Sequence, residues 1–233
     1  MFLTQTPRTA HPSNAPQKVL QICALCAALG TSFFSSQALA TAKDFAGFSL
    51  GMDLNSDSIN TKTDATHHTH DQGNGFTTTR ASLQSTESYL NLGLTGTYRH
   101  PITEHFLIGV GAQIHLTDTN LNNSGGKVRY TNTNTLFLTP GYAISNTTML
   151  YGKLGIASRK LTGEYAYFPR TDNGTQYGFG AAFALSPQVH LNVEYAFTDY
   201  KKFNADSVNA GGNEHYATDA NVDTLSVGLA YRF

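Results

Sequence analysis

Charge is scarce in this chain. Of its 233 residues only 13% are Asp, Glu, Lys or Arg, about half the roughly 25% of an average soluble domain. A formal charge of −1 supplies no basic face of the kind that marks nucleic-acid binding, so that class of partner is set aside. Cysteine is nearly absent as well, and Cys23 and Cys26 both lie within the first forty residues. After residue 40 no apolar run approaches the roughly 20 residues that a membrane-spanning helix needs.

What is present begins with an export signal. Arg8 and Lys18 are accompanied by no acid, "VLQICALCAALGTSFF" forms an apolar stretch, and Ala38-Leu39-Ala40 is a small-x-small cleavage site. Cleavage is expected after Ala40, giving a signal peptide over 1–40 and a mature domain over 41–233. The stretch is short and interrupted by Gln21, which argues against an anchor helix. Ile22 and Leu25 precede the cysteines where a lipid-acceptor motif has a small residue. The mature chain then holds no cysteine and enters an oxidising compartment without disulfides. Two cations and no acid leave with the signal, so −1 becomes −3.

The rest of the chain alternates apolar and polar residues with period two, the signature of strands. Eight are expected, near 45–55, 86–99, 105–117, 132–144, 149–160, 175–185, 190–199 and 222–233. Several match the 9 to 11 residues with which a tilted strand crosses a bilayer. Their connections alternate too. "HPITE", "SNTT" and "SPQ" are tight, whereas 56–85, 118–131, 161–174 and 200–221 are long and rich in Asn, Thr, Asp and Gly. This layout predicts an all-β fold, an eight-stranded antiparallel up-and-down transmembrane β-barrel.

Parity sharpens the expectation. Ala46, Phe48, Leu50, Met52 and Leu54 share one face of the first strand. Phe106, Ile108, Val110, Ala112, Ile114 and Leu116 share one face of the third, and Leu191, Val193, Tyr195 and Phe197 one face of the seventh. The opposite parity collects Asp53, Glu87, Arg99, Lys153, Arg159, Glu194 and Arg232, as the cost of a charge against lipid requires. Most strand glycines share that inward parity, and only Gly96 and Gly152 point out. A narrow lumen holding long charged side chains needs such residues.

The C-terminal residues carry a resemblance. Phe233, preceded at alternate positions by Tyr231, Leu229, Val227 and Leu225, looks like the terminal signature read by the barrel assembly machinery. "LNVEYAFTDYKKF" with the final "LSVGLAYRF" resembles the last hairpin of the eight-stranded barrels grouped with outer membrane protein A and the opacity-type surface antigens. The resemblance implies a monomeric barrel in the outer membrane of a Gram-negative bacterium, in contact with its lipid, with periplasmic termini and four extracellular loops that meet host surface molecules. Two features depart from it. No peptidoglycan-binding domain is expected after the barrel. Pro140 falls inside the fourth strand, where it costs a ladder bond, so a bulge or a shifted strand boundary is expected there.

Four candidate lumen charges stand out. Lys153 and Glu194 each lie a few residues above a short turn and are placed to pair, with Arg99 and Arg232 lower. Such a network either gates a small conductance or satisfies buried charges in a plug, and an eight-stranded interior is just wide enough to be filled by side chains. The cluster "THHTHD" offers His67, His68, His70 and Asp71 as ligands suited to zinc, copper or haem, but in a loop beside Gly73 and Gly75 nothing fixes their geometry. His115 is expected in the lumen as a hydrogen-bonded residue. No nucleophile-and-base set is found, and "QIHLTD" lacks the His-x-Ser spacing of the lipid A deacylases. The leading expectation is therefore a structural or adhesive surface antigen without catalysis or cofactor. A small pore, a haem- or metal-binding receptor and a lipid A-modifying enzyme are the alternatives.

Overall fold

The computed structural model describes residues 41–71, 75–123, 126–163, 170–209 and 212–233; the expected signal peptide lies outside them. The chain opens with a one-turn 3-10 helix, Ala42–Phe45. There follow β1 (Gly47–Asp71), β2 (Gly75–Pro101), β3 (Phe106–His115), β4 (Thr119–Asn123), β5 (Gly126–Ser145), β6 (Thr148–Gly163), β7 (Arg170–Ala184), β8 (Val189–Asn209) and β9 (Gly212–Arg232). All neighbours pair antiparallel. β3 and β4 lie end to end along β5, and β1 pairs with β9, so the nine strands close as an eight-stranded ring. This is the expected fold.

Alternation carries the ring's chemistry. The exposed side of the wall is an apolar belt that includes Phe48, Leu50, Met52 and Leu54 on β1, Phe106, Ile108, Val110 and Ile114 on β3, and Leu229 and Tyr231 on β9. Val193 shares the outward parity yet is buried. Inward glycines make room for large neighbours. A Cβ at Gly111 would stand 2.6 Å from the Phe137 ring, one at Gly180 2.6 Å from the Tyr151 hydroxyl, and one at Gly228 on the Asp53 carboxylate.

At the short-turn end the strand limits agree with the sequence pattern within two residues. At the other end they do not. The segments 56–85 and 200–221, expected as loops, are mostly continued strand: β1 pairs with β2 without a register shift as far as Asp71↔Gly75, and β8 pairs with β9, with one shift between Tyr200 and Phe203, as far as Asn209↔Gly212. The reason is physical. Once both faces of a strand are wet, hydrophobic alternation vanishes although the backbone ladder continues. Ala46 and Phe45 are a second correction. They belong to the helix and its C-cap rather than to β1, because Gly47, at φ 104°, turns the chain between the two.

Pro140 lies within β5 opposite Ile108. The β5–β6 ladder keeps one register from Asn134↔Ser158 to Ala143↔Met149 and lacks only the bridges at Thr139 and Pro140. No bulge forms there, and the missing donor simply leaves a gap in the ladder.

Candidate functional site

The lumen is filled in three tiers. At the short-turn end the 3-10 helix is tucked into the barrel mouth. Phe45 and Ala42 pack with Leu107, Ala143, Met149, Tyr151 and Ala182, and the Phe45 ring lies 5.3 Å from that of His190. The helix is anchored by Ala42 N–H, which donates to Glu104 O at 2.6 Å. Arg232 completes this tier. Its guanidinium donates to the carbonyls of Lys43 (3.1 Å), Ala46 (3.2 Å) and Pro187 (2.7 Å). Expected among the lumen charges, Arg232 instead ties backbone at the rim, where the carbonyls of a helix end and a turn lie within its reach.

The middle tier is charged. Lys153 Nζ lies 2.7 Å from Glu194 Oε1 and donates to Gln113 Oε1 at 3.2 Å, with its ammonium 4.4 Å from the centre of the Phe137 ring. Tyr151 donates its hydroxyl to Glu194 Oε2 at 3.2 Å. Asp53 accepts from Thr95 and, at 3.4 Å, from Gln113. Arg99 is buried and lies over the Tyr151 ring at 5.8 Å, so it joins the network through the tyrosine rather than through a direct ion pair. A chain of short polar links continues upward: Ser226 to Asn55, Asn55 to Asn91, Asn91 to Asp57, and Thr224 to Asp57.

The third tier closes the other end of the lumen. Arg159 is held between aromatic rings, its guanidinium 3.6 Å from the Tyr200 centroid and 4.5 Å from that of Tyr130. Asp172 lies 3.6 Å from Arg159 and 3.1 Å from Arg170. Ile59, Ala157 and Val222 pack against these rings. Sequence reasoning missed this cap, since Tyr130 and Tyr200 fell in segments expected as loops. Between the tiers are cavities of about 40 and 20 Å³, the first beside Lys153 and Glu194 and the second beside Asp57 and His115. Each has room for one to a few waters.

Outside, on β2, β1, β9 and β8, the apolar belt ends at a row of hydrogen-bonded polar groups. Thr86 donates to Asn60, Asn60 to Asp223 (3.1 Å), and Tyr195 to Asp223 (2.6 Å). Beyond it the outer face of β1, β9 and β8 carries Lys62, Asp219 and Lys202, the last two 3.1 Å apart. Asp64 sits there too, its carboxyl held below the usual range by the Ser82 hydroxyl. The histidines lie farther out, on β1 rather than in a loop. Adjacent strand residues face opposite ways, so His67 and His68 are parted, and His68 Nδ1 is 3.0 Å from the Thr78 hydroxyl. His70 and Asp71 pair in register with Phe76 and Gly75. Among the described residues no three His, Cys, Asp or Glu side chains converge as a metal site. At the other end Phe233 is exposed, its ring 5.0 Å from Tyr231 and 5.7 Å from Phe48, and its N–H donates to Phe48 O at 2.9 Å.

Comparison with known proteins agrees with this architecture. No curated protein matches the chain. Among solved structures, OprG of Pseudomonas aeruginosa is 15% identical, over 81% of this chain and 96% of that one, with a TM-score of 0.53. Neisserial surface protein A is 13% identical over 75% and 97%, at a TM-score of 0.44. Ail of Yersinia pestis, in complex with the heparin analogue sucrose octasulfate, is 16% identical over 76% and 99%, also at 0.44. The model of the outer membrane protein beta-barrel domain matches residues 26–233, and the chain belongs to that family of outer-membrane β-barrels.

Proposed function

We propose that the protein is a closed barrel of the Gram-negative outer membrane whose projecting hairpins are a binding surface on the outside of the cell. The observation that carries this reading is the contrast between the two halves of the molecule. The lumen among the described residues is packed, with small cavities of about 40 and 20 Å³ in it, while β1 and β2 continue past the polar row at Asn60 to Asp71 and Gly75. That is about 36 Å of extended chain at roughly 3.3 Å per residue. An interior so filled supports neither conduction nor a lumen active site, and strands that cost conformational entropy to order are built well beyond the apolar belt, paired with one another. The short turns and both ends of the mature chain then face the periplasm. The signal is removed after Ala40, and the barrel works as a monomer without catalysis.

Two measurements test this. Protease added to intact cells is expected to cut within 56–85 or 200–221 and to spare 145–148; the reverse pattern inverts the topology. Thr61 and Ser85 are register partners, so residues 62–84 can be replaced by an Asn-Gly turn that suits a two-residue hairpin. The refolded full-length barrel is expected to bind host cells or matrix proteins and the shortened one to lose that binding. Both are expected to leave a planar bilayer at baseline conductance. Equal binding by both forms removes the hairpins from the function, and discrete channel openings remove the closed lumen.

A further inference from the structure

Above the apolar belt the barrel wall divides. β2 keeps β1 as its partner to the tip, but its ladder with β3 ends at Gly93↔His115. The cause is local. Leu116 N–H still donates to Leu92 O at 2.7 Å, and Thr117 Oγ1 accepts from Leu92 N–H at 3.3 Å. There the extended chain breaks, and it resumes as β4 beside β5, with Asp118 bound to Arg129 of β5 at 2.5 Å. From Thr78 to Asn91, therefore, no strand among the described residues pairs with the second edge of β2. Backbone groups alternate between a strand's two neighbours. Since Leu92 O faces β3, the N–H and C=O of every second residue from Thr78 to Leu90 face the open side.

Open edges template further pairing, and proteins blunt them with lysine, proline or bulges. The same projecting sheet, in the order β2-β1-β9-β8, has a second open edge, and that one is blunted. β8 pairs with β7 only up to Gly174↔Tyr200. Just beyond, β8 shifts register between Tyr200 and Phe203 and exposes Lys201 and Lys202. β2 carries none of these devices. Its register with β1 never shifts, and Thr78–Asn91 contains no lysine and no proline, with Arg80 and Glu87 as its charges. One edge of a sheet is guarded and the other is kept open.

We propose that the open edge of β2, from Thr78 to Leu90, is a β-augmentation site that takes an extended segment of a partner protein as an added strand. The proposal rests on the reading that the hairpins are displayed outside the cell. Main-chain hydrogen bonds supply affinity in this mode and alternate side chains supply selectivity. On the lumen-side face the newcomer lies beside Ala81 and Leu83, the latter 69% exposed. On the other face it meets Arg80, Ser82, Gln84 and Thr86. Ser85 and Glu87 follow on the lumen-side face, so the edge fits an extended segment that is apolar opposite Ala81 and Leu83 and carries neutral or acidic residues opposite Arg80. A second copy in the same membrane fits less well, because its upright β2 runs in the same sense and forms no antiparallel ladder.

The test uses the full mature chain refolded in lipid nanodiscs. The probe is a short synthetic peptide of alternating valine with serine and glutamate, and its control is the same peptide N-methylated at alternate backbone amides. The plain peptide is expected to bind saturably, to slow amide exchange at alternate residues of Arg80–Leu90, and to lose binding on N-methylation. Gln84→Pro deletes an N–H that faces the open side and not β1, and is expected to weaken binding about tenfold, the scale of one or two lost hydrogen bonds. Leu83→Lys, which adds a guard residue, is expected to act in the same direction. It carries the comparison if Gln84→Pro does not reach the heat-modifiable folded form. The proposal is overturned if neither peptide binds at millimolar concentration, if N-methylation or both variants leave binding unchanged, or if protection appears along Lys201–Asn209. It is also overturned if the protein dimerises through β2 and excludes the peptide. Purified protein in a nanodisc exposes both ends, so failure here leaves the cell-surface reading standing, and failure of cell binding leaves this one.

Discussion

Lys153 and Glu194 show what a single charge can reveal from sequence and what it cannot. Their parity and height above the short turns placed them together, and the structure holds them 2.7 Å apart. Their surroundings were not legible: Tyr151 stands two residues from Lys153 on the same face of β6, while Phe137 and Gln113 reach the pair from β5 and β3, whose register the sequence does not print. Glu194→Ala leaves a buried ammonium with an amide and a ring for company. It is expected to cost about 3 to 5 kcal/mol, and Glu194→Leu with Lys153→Met less than the single changes summed. Urea titration in lipid vesicles measures both, and additive losses would show that the two side chains do not interact. Arg232 went the other way, since its charge was legible and its role was not. The carbonyls it binds belong to a helix and a turn that carry no periodic signal of their own.

The 3-10 helix Ala42–Phe45 was invisible for the same reason, being shorter than any pattern. The strands were legible wherever one face is apolar and illegible where both are wet, which is why their short-turn ends were placed well and their far ends fell short. The helix and the Arg159–tyrosine cap are two separate closures in series, and this yields a prediction about elements. Phe45→Ala opens a cavity at the mouth and is expected to cost about 3 to 5 kcal/mol, the usual range for a buried Phe truncation. The bilayer is expected to stay silent, because Arg159 still lies between Tyr130 and Tyr200. Conductance is expected only when Phe45→Ala is joined with Arg159→Ala. Channel openings from Phe45→Ala alone would mean that the cap does not seal.

The ring as a whole was the most legible feature, because every strand votes on it: turn lengths, parity and the apolar belt all depend on closure. Its last residue provides a test at that scale. Phe233 is 74% exposed and its ring lies beside those of Tyr231 and Phe48, so it adds little to the folded barrel, at most about 3 kcal/mol of apolar burial. If the assembly machinery reads Phe233, Tyr231 and Leu229, deleting Phe233 is expected to spare refolding of the purified chain in detergent. The same deletion is expected to lower sharply the amount inserted in cells. Equal loss in both settings would make the residue merely structural.

Arg232 also imposes an order in time. The carbonyls it holds come from the first residues of the domain and from the turn between β7 and β8, while the arginine itself stands at the end of β9. These pieces meet only after β9 has found both β8 and β1. This three-way tie therefore cannot form on an unfinished ring, and it reports that the barrel has closed.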